Sequence, residues 1–188
     1  GGGTMESLIE TGQFAGILDV TTTEWADELA GGVLAAGPHR LEAAARCGVP
    51  AVVTPGCLDM VNFWAPETVP AKYQGRTFYP HNPNITLMRT TPEECRELGR
   101  IVAEKLNRST GPAAVLIPLK GLSVIDAPGG PFWWPEADRA LFDAIKENLR
   151  NGIPVEELDL NINDPEFARW CAQTLLEMLR IAKPQAAL

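Results

Sequence analysis

The first chemically distinctive feature of the sequence is a run of glycines, Gly1, Gly2 and Gly3, followed by Thr4 at the start of a predicted helix. Glycine lets backbone N–H groups approach a phosphate closely, and a helix N-terminus carries partial positive charge. The run therefore predicts an anion site. It is not a P-loop, because the pattern GxxxxGK(S/T) is absent from the sequence. Natural chains start with methionine, so the alternative is that the glycines remain from a tag and that Thr4 simply caps the helix.

Polar and small residues also follow two apolar segments that we predict to be strands. Ligands of open α/β sheets bind beyond the carboxyl ends of the strands, so these residues are predicted to face a ligand together with the glycine run. A simpler role for Thr21 or Thr22 is to cap the next helix, with Glu24 in its first turn. Burying a carboxylate at the end of an apolar strand costs free energy unless the carboxylate is paired with a cation or binds a ligand or a metal. The candidates are Asp19, Thr21 and Thr22 after the first segment, and Gly56, Asp59 and Asn62 after the second.

Catalytic chemistry is less evident in the sequence. Cys57 and His81 could act as in Cys-His hydrolases, but their spacing does not bring them together. Asp19, Asp59 or Asp126 could serve as an acid, a base or a metal ligand of a hydrolase or transferase. Because no nucleophile–base pair or metal cluster is evident, we predict no specific catalytic residue and no metal held by the protein alone.

The segment Lys120–Trp134 is unusual in composition, with two Gly-Pro turns and the adjacent Trp133 and Trp134. A long loop of this kind predicts a lid or a subunit contact, and the alternative is a hydrophobic plug beneath a helix. Lys120 also belongs to the cations predicted nearest to the rim for binding a phosphate, with Arg76 and Arg89.

Apolar runs that alternate with amphipathic segments predict a three-layer α/β, Rossmann-like domain over residues 1–188, with a mostly parallel sheet of about five strands. The most apolar runs lack a polar alternation, which is typical of strands covered on both faces. The predicted strands are Ala15–Val20, Val49–Thr54, Thr77–Tyr79, Ala113–Leu119 and Val155–Leu160.

Helix signals lie between these strands. Thr91 and Glu94 predict a capping box, with Pro92 at the first helical position. Pro135 and Pro165 open two further predicted helices. Another helix is predicted within residues 37–48, and the first is predicted to run from Thr4 to Gly12.

Composition excludes several classes of protein. With 16 Lys+Arg against 24 Asp+Glu, the formal charge is −8, which argues against binding to nucleic acid phosphates. The apolar runs fall well short of the roughly 20 residues of a membrane helix, so we expect no membrane association. The 4 cysteines are scattered and only 2 histidines are present, which favours reduced thiols in the cytoplasm over disulfides or a zinc site.

Three long segments carry a family resemblance: residues 1–63, beginning GGGTMESLIETGQFAGILDVTTTEW, then HNPNITLMRTTPEECRELGRIVAEKLNRSTGP and PLKGLSVIDAPGGPFWWPEAD. They resemble the tobamovirus-resistance-protein-like ATP-binding family, an uncharacterised protein family, over essentially the whole chain. The resemblance covers only the C-terminal half of a family member, so it implies the C-terminal lobe of a two-lobed protein. It also implies that the glycines are a native turn.

The resemblance further implies binding of ATP with Mg²⁺ in a cleft that the N-terminal lobe would complete. By position, the residues that would face that cleft are Gly1 to Thr4, the segment 19–22, and Gly56, Asp59 and Asn62. We therefore favour a nucleotide-binding lobe that regulates self-association, as a homo-oligomer, or the binding of a partner. The alternative is a hydrolase or transferase of a small phosphorylated or carboxylated metabolite.

Overall fold

The computed structural model describes residues 1–182, with side chains through residue 181. Helices and strands alternate along most of this length, and two short 3₁₀ turns cover Pro66–Thr68 and Ala71–Tyr73. The helices are α1 (Gly2–Ile9), α2 (Glu24–Ala30), α3 (Ala43–Cys47), α4 (Pro92–Asn107), α5 (Pro135–Asn148) and α6 (Pro165–Ala182). The strands are β1 (Ile17–Thr21), β2 (Ala51–Gly56), β3 (Met60–Phe63), β4 (Phe78–Asn82), β5 (Ile85–Arg89), β6 (Ala113–Pro118) and β7 (Val155–Leu158).

A parallel sheet in the order β1-β2-β6-β7 forms the centre of the fold. In its register, Val52 of β2 lies between Leu18 of β1 and Ala114 of β6. The predicted α/β class and Rossmann-like architecture are confirmed, and the parallel sheet has 4 strands rather than about five. Its strands all end at one edge, where the loops that follow β1, β2 and β6 meet.

Helices cover both faces of this sheet. Val53 and Val115 point to one face and pack in the same apolar cluster as residues of α4 and α5. Val52 and Leu116 point to the other face and pack with Phe167 of α6. Side chains alternate between faces along a strand, so the part of a strand that is covered on both sides is apolar at successive positions. This explains why the predicted strands lacked a polar alternation.

A second sheet is inserted between β2 and α4. Its strands are antiparallel, in the order β3-β5-β4. The strand predicted at Thr77–Tyr79 corresponds to β4 and belongs here, so its assignment to the parallel sheet was wrong. The sequence analysis missed β3 and β5, which are only 4 and 5 residues long.

The helix boundaries follow local signals in part. The capping box of α4 is confirmed, because Glu94 N–H donates to Thr91 Oγ1 at 3.2 Å and Thr91 N–H donates to Glu94 Oε2 at 2.8 Å. The cap predicted for α2 was wrong, since β1 extends through Thr21 and the N-cap is Thr23. In the segment 37–48 only α3 is helical, because Leu41 has a φ of 73° and breaks the pattern before it.

Replacing Gly99 with alanine should lower the free energy of unfolding by about 1–3 kcal/mol, as overpacking of a core does. Gly99 lies where α4 and α5 are in close contact, and a Cβ there would be 2.5 Å from Leu141 O and 2.7 Å from Ala144 Cβ. Urea unfolding measures the change. Gly3→Ala is the matched control, because a Cβ at Gly3 would have no neighbour within 4 Å. Equal stability of both variants would contradict the packing account.

Candidate functional site

A cavity of about 470 Å³ opens at the carboxyl edge of the parallel sheet. The end of β1 and residues that follow β2 and β6 form one side of it, and the antiparallel sheet forms the other. Its walls are mostly apolar, with a few hydroxyl, thiol, imidazole and amide groups among them. The lining residues are Val20, Thr21, Cys57, Met60, Tyr79, His81, Leu87, Leu122, Ser123, Val124, Ile125, Ile162 and Asn163.

Asp19, at the end of β1, is paired with a buried arginine. Arg40 donates from Nη1 to Asp19 Oδ2 at 2.5 Å and from Nη2 to Asp19 Oδ1 at 2.7 Å. The same guanidinium contacts Glu6 at 3.2 Å and Glu24 at 3.4 Å. Burial raises the pKa of the Asp19 carboxyl, although the hydrogen bonds and charge of Arg40 act in the opposite direction. Both oxygens of Asp19 are therefore occupied within the protein.

The glycine run forms the start of α1, with Gly1 as its N-cap. The Gly2 N–H donates to Glu24 Oε1 at 2.9 Å, and a Cβ at Gly2 would collide with Arg40 and Glu24. Gly3 and Thr4 are exposed, and they belong to the first turn, whose N–H groups have no intrahelical partner. Arg40 also donates to the Thr21 carbonyl at 3.2 Å, which connects this turn to the cavity wall.

Thr22 and Gly56 hold β1 and β2 together. The fully buried Thr22 hydroxyl donates to the Thr54 carbonyl at 3.3 Å, and the Thr22 N–H donates to the Gly56 carbonyl at 3.0 Å. A Cβ at Gly56 would collide with the Val20 carbonyl, so only glycine fits there. Thr21 differs from both, because it is exposed and lines the cavity.

Asn62, on β3, is bound to Asp27 of α2. Its N–H donates to Asp27 Oδ1 at 2.6 Å and its Nδ2 donates to Asp27 Oδ2 at 2.9 Å. Burial raises the pKa of the Asp27 carboxyl to about 6. The contact fixes the antiparallel insertion to α2 and uses the N–H and Nδ2 donors of Asn62.

Asp59 belongs to a buried group of three carboxylates around Arg89. Ser123 Oγ donates to Asp59 Oδ2 at 2.8 Å, and Arg89 Nη2 lies 2.5 Å from Asp138 Oδ1 and 3.6 Å from Asp126 Oδ1. Within the described chain, Asp59 Oδ1, Asp126 Oδ1 and Asp138 Oδ2 accept no hydrogen bond. One guanidinium thus faces three carboxyl groups, and full ionisation would leave a buried net charge of about −2.

The titration of this group follows from its burial. Burial and the charge of Asp126 raise the pKa of Asp59 to about 7 and that of Asp138 to about 8. Burial also raises the pKa of Asp126. The neighbouring Cys57 thiol has its pKa raised to about 12, by burial and by the negative charge of Asp59. Near neutral pH some of these carboxyl groups are therefore protonated, which reduces the buried negative charge that Arg89 does not balance.

The other sequence candidates are dispersed. Arg89 is buried in the carboxylate group, Arg76 pairs with Glu94 at 2.6 Å, and Lys120 pairs with Asp159 at 2.9 Å. Cys57 and His81 both line the cavity, but the described structure has no hydrogen bond between them. The sequence analysis missed Arg40 and Asp138, because neither follows a strand and nothing local distinguishes them from solvated helix charges.

The loop between β6 and α5 combines buried and exposed residues. Leu122 and Phe132 are buried, and Trp133 and Trp134 are partly exposed. The Phe132 carbonyl accepts from Arg89 Nε at 2.8 Å, so the loop covers the carboxylate group. The hydrophobic-plug interpretation fits Leu122 and Phe132, and self-association through the tryptophans stays a prediction.

A family model described as the C-terminal domain of Uncharacterised protein family UPF0261 matches residues 1–179. This chain belongs to the UPF0261 family. A UPF0261 protein of Clostridium tetani is 52% identical over 180 residues, which cover 95% of this chain and 45% of that protein. A UPF0261 protein of Rhizobium meliloti is 53% identical over 170 residues, which cover 89% of this chain and 43% of that protein.

The predicted resemblance to tobamovirus-resistance proteins is also confirmed at the level of the family. The ToMV resistance protein Tm-1 of Solanum lycopersicum is 41% identical over 180 residues, which cover 95% of this chain and 24% of that protein. This UPF0261 chain thus spans less than half the length of the curated relatives it matches. Among its described helices, none is both long and apolar enough to cross a bilayer.

Proposed function

We propose that this chain is a nucleotide-binding lobe that takes ATP with Mg²⁺ at the carboxyl edge of its parallel sheet. The observation that carries the proposal is the cavity of about 470 Å³ at that edge, whose wall residue Thr21 is connected to the first turn of α1 through Arg40 and Glu24. Small-molecule sites have volumes of about 300–1,000 Å³, and this edge is the usual ligand position in open α/β sheets.

Backbone N–H groups are the proposed phosphate donors. Gly3 and Thr4 offer theirs from the exposed first turn of α1, which also carries partial positive charge. No lysine or arginine is among the residues that line the cavity. The nucleoside would lie against the mouth of the cavity, where Thr21 and Asn163 supply polar contacts and Tyr79 an aromatic ring.

Mg²⁺ fits this arrangement as an ion carried by the nucleotide. The described residues contain no group of three His, Cys, Asp or Glu side chains placed to hold a metal. Mg²⁺ on a nucleotide is usually bound through phosphates, waters and one or two carboxylates. Glu24, which accepts the Gly2 N–H, is the carboxylate adjacent to the proposed phosphate position. The ion would reduce the electrostatic repulsion between the Glu24 carboxylate and the phosphates.

The length of the relatives supports a cleft completed by a second lobe. This chain covers 45% of the Clostridium tetani protein, and the matching family model is a C-terminal domain. We propose that the remaining part of such a protein closes over the nucleotide. A ligand shifts a conformational equilibrium only if it binds one state more tightly than the other. A nucleotide that binds the closed state more tightly would therefore favour closure, and closure would regulate self-association or the binding of a partner.

Gly3→Asp should weaken binding of Mg²⁺–ATP by about tenfold or more in a protein of the relatives' full length, because it places a carboxylate against the phosphates. The fold should tolerate the change, since a Cβ at Gly3 has no neighbour within 4 Å and acidic residues stabilise a first helical turn. Titration calorimetry measures the affinity. Gly3→Asn, the uncharged control of the same size, should lose much less affinity than Gly3→Asp. Absence of binding by wild type, or equal binding by Gly3→Asp, would refute the proposal.

A further inference from the structure

Ser123 and Asp59 form a hydrogen-bonded pair at the inner wall of the cavity. Ser123 lines the cavity, and its Oγ donates to Asp59 Oδ2 at 2.8 Å. Asp59 is fully buried behind it, and its Oδ1 has no hydrogen-bond partner in the described chain. The Asp126 N–H donates to Ser123 Oγ at 3.0 Å, which orients the hydroxyl. A hydroxyl that faces a cavity with a buried carboxylate behind it is the arrangement of a nucleophile and its base.

We propose that Ser123 is a nucleophile with Asp59 as its base, and that the cavity binds a carboxylic ester with an apolar acyl group. This inference adds a reaction at the inner wall of the cavity and does not depend on nucleotide binding. The apolar side chains of Met60, Leu87 and Ile162 suit such an acyl group.

Donors for the oxyanion are present in the same turn. The backbone N–H groups of Val124 and Ile125 donate no hydrogen bond within residues 1–182, and both residues line the cavity. Where serine follows a strand in the α/β-hydrolases, the N–H of the next residue stabilises the tetrahedral oxyanion. Val124 holds that position here, since Ser123 follows β6 in the turn at the edge of the sheet.

The acidity of Asp59 suits this role. Burial and the charge of Asp126 raise its pKa to about 7, near the value at which a base is most effective at neutral pH. Cys57 is the competing nucleophile of the cavity. Its pKa is raised to about 12, by burial and by the charge of Asp59, so its thiol stays protonated and unreactive at pH 7.

The reaction consists of two transfers that restore the enzyme. Ser123 Oγ attacks the ester carbonyl while its proton moves to Asp59 Oδ2. The carbon–oxygen bond to the leaving alcohol then breaks, and the alcohol takes that proton. A water molecule, deprotonated by Asp59, attacks the acyl-serine, releases the carboxylic acid and returns the proton to Ser123. The net reaction is hydrolysis of the ester by water.

A fluorophosphonate probe tests the inference in a protein of the relatives' full length, without nucleotide. We expect covalent labelling of the peptide that contains Ser123, detected by mass spectrometry, and no labelling of that peptide in Ser123→Ala. Asp59→Asn should slow labelling about 10²–10⁴-fold, the usual contribution of a general base. Ser109→Ala is the matched control, since Ser109 follows α4 at the opposite edge of the sheet, and it should label as wild type does.

The pH dependence separates a base from a merely structural partner. Labelling of wild type should rise with pH, with a midpoint near the Asp59 pKa of about 7, and Asp59→Asn should lose that midpoint. Circular dichroism and thermal unfolding verify that each variant is folded, and Ser123→Gly, which also removes the hydroxyl, replaces Ser123→Ala if that variant fails to fold. Absence of label on Ser123 of folded wild-type protein, or an unchanged rate in folded Asp59→Asn, would overturn the inference. Neither result bears on nucleotide affinity, so the two proposals fail separately.

Discussion

Replacing Arg40 with methionine is expected to lower the free energy of unfolding by about 3–5 kcal/mol, the usual loss when one partner of a buried ion pair is removed. Arg40 is 2% exposed and contacts the carboxylates of Asp19, Glu6 and Glu24. Without its guanidinium, three acidic groups would face one another beside the end of β1. Methionine keeps most of the side-chain volume, so the loss reports mainly on charge.

Urea unfolding at pH 7 measures this effect, and Arg46→Met is its matched control. Arg46 forms a single ion pair with Glu10 in which both side chains are more than half exposed, so its removal should cost less than about 1 kcal/mol. Adding Asp19→Asn to Arg40→Met should restore part of the stability, because it removes one uncompensated charge. If Arg40→Met were as stable as Arg46→Met, Arg40 would not stabilise the carboxyl edge as described.

Stability is expected to fall as the pH rises from about 5 to 8, opposite to the usual effect of paired carboxylates. Asp59 and Asp138 have pKa values of about 7 and about 8 in the folded chain, against an ordinary value of 3.8. Between these values the folded chain holds protons that the unfolded chain has released. The stabilisation is complete below the unfolded pKa and is lost as the pH rises through the folded pKa, with a slope of up to about 1.4 kcal/mol per pH unit for each of the two groups.

Urea unfolding at a series of pH values tests this expectation. Asp138→Asn should flatten the slope, because an amide cannot ionise beside Asp126 and Arg89. Asp159→Asn, an exposed change, should leave the slope as in wild type. Lys105 and His39 lower the pKa of Glu42 to about 2, so its contribution is lost only at more acid pH and does not interfere. A stability that is constant or rising between pH 5 and 8 would contradict the protonated state of the carboxylate group.

The sequence predicted the parts of the fold that local signals determine. Apolar runs such as Ala113–Pro118 identified strands because both faces of the parallel sheet are covered. The capping box at Thr91 depends on residues only three apart, so it could be read directly. β3 and β5 could not be predicted in this way, because each is short and is stabilised by pairing with a strand that is distant in sequence.

The candidate site was predictable only as a region. The loops after β1, β2 and β6 were expected to meet, and they do so around the cavity. Sequence could not show that the polar groups of Asp19 and Asn62 are used by Arg40 and Asp27. The partner of Asp19 lies 21 residues away and that of Asn62 lies 35 residues away, and no local pattern specifies either contact. Thr21 and Ser123 line the cavity, and Gly3 is exposed in the first turn of α1.

Hydrogen exchange with and without Mg²⁺–ATP, on a protein of the relatives' full length, tests the central claim most directly. Peptides that cover residues 1–10, 19–26 and 121–127 should gain protection, because they form the proposed phosphate and cavity surfaces. The 3₁₀ turns at residues 66–73 line a separate apolar cavity of about 490 Å³ and should exchange as before. Unchanged exchange at the carboxyl edge under saturating Mg²⁺–ATP, or protection confined to residues 66–73, would contradict a nucleotide site there.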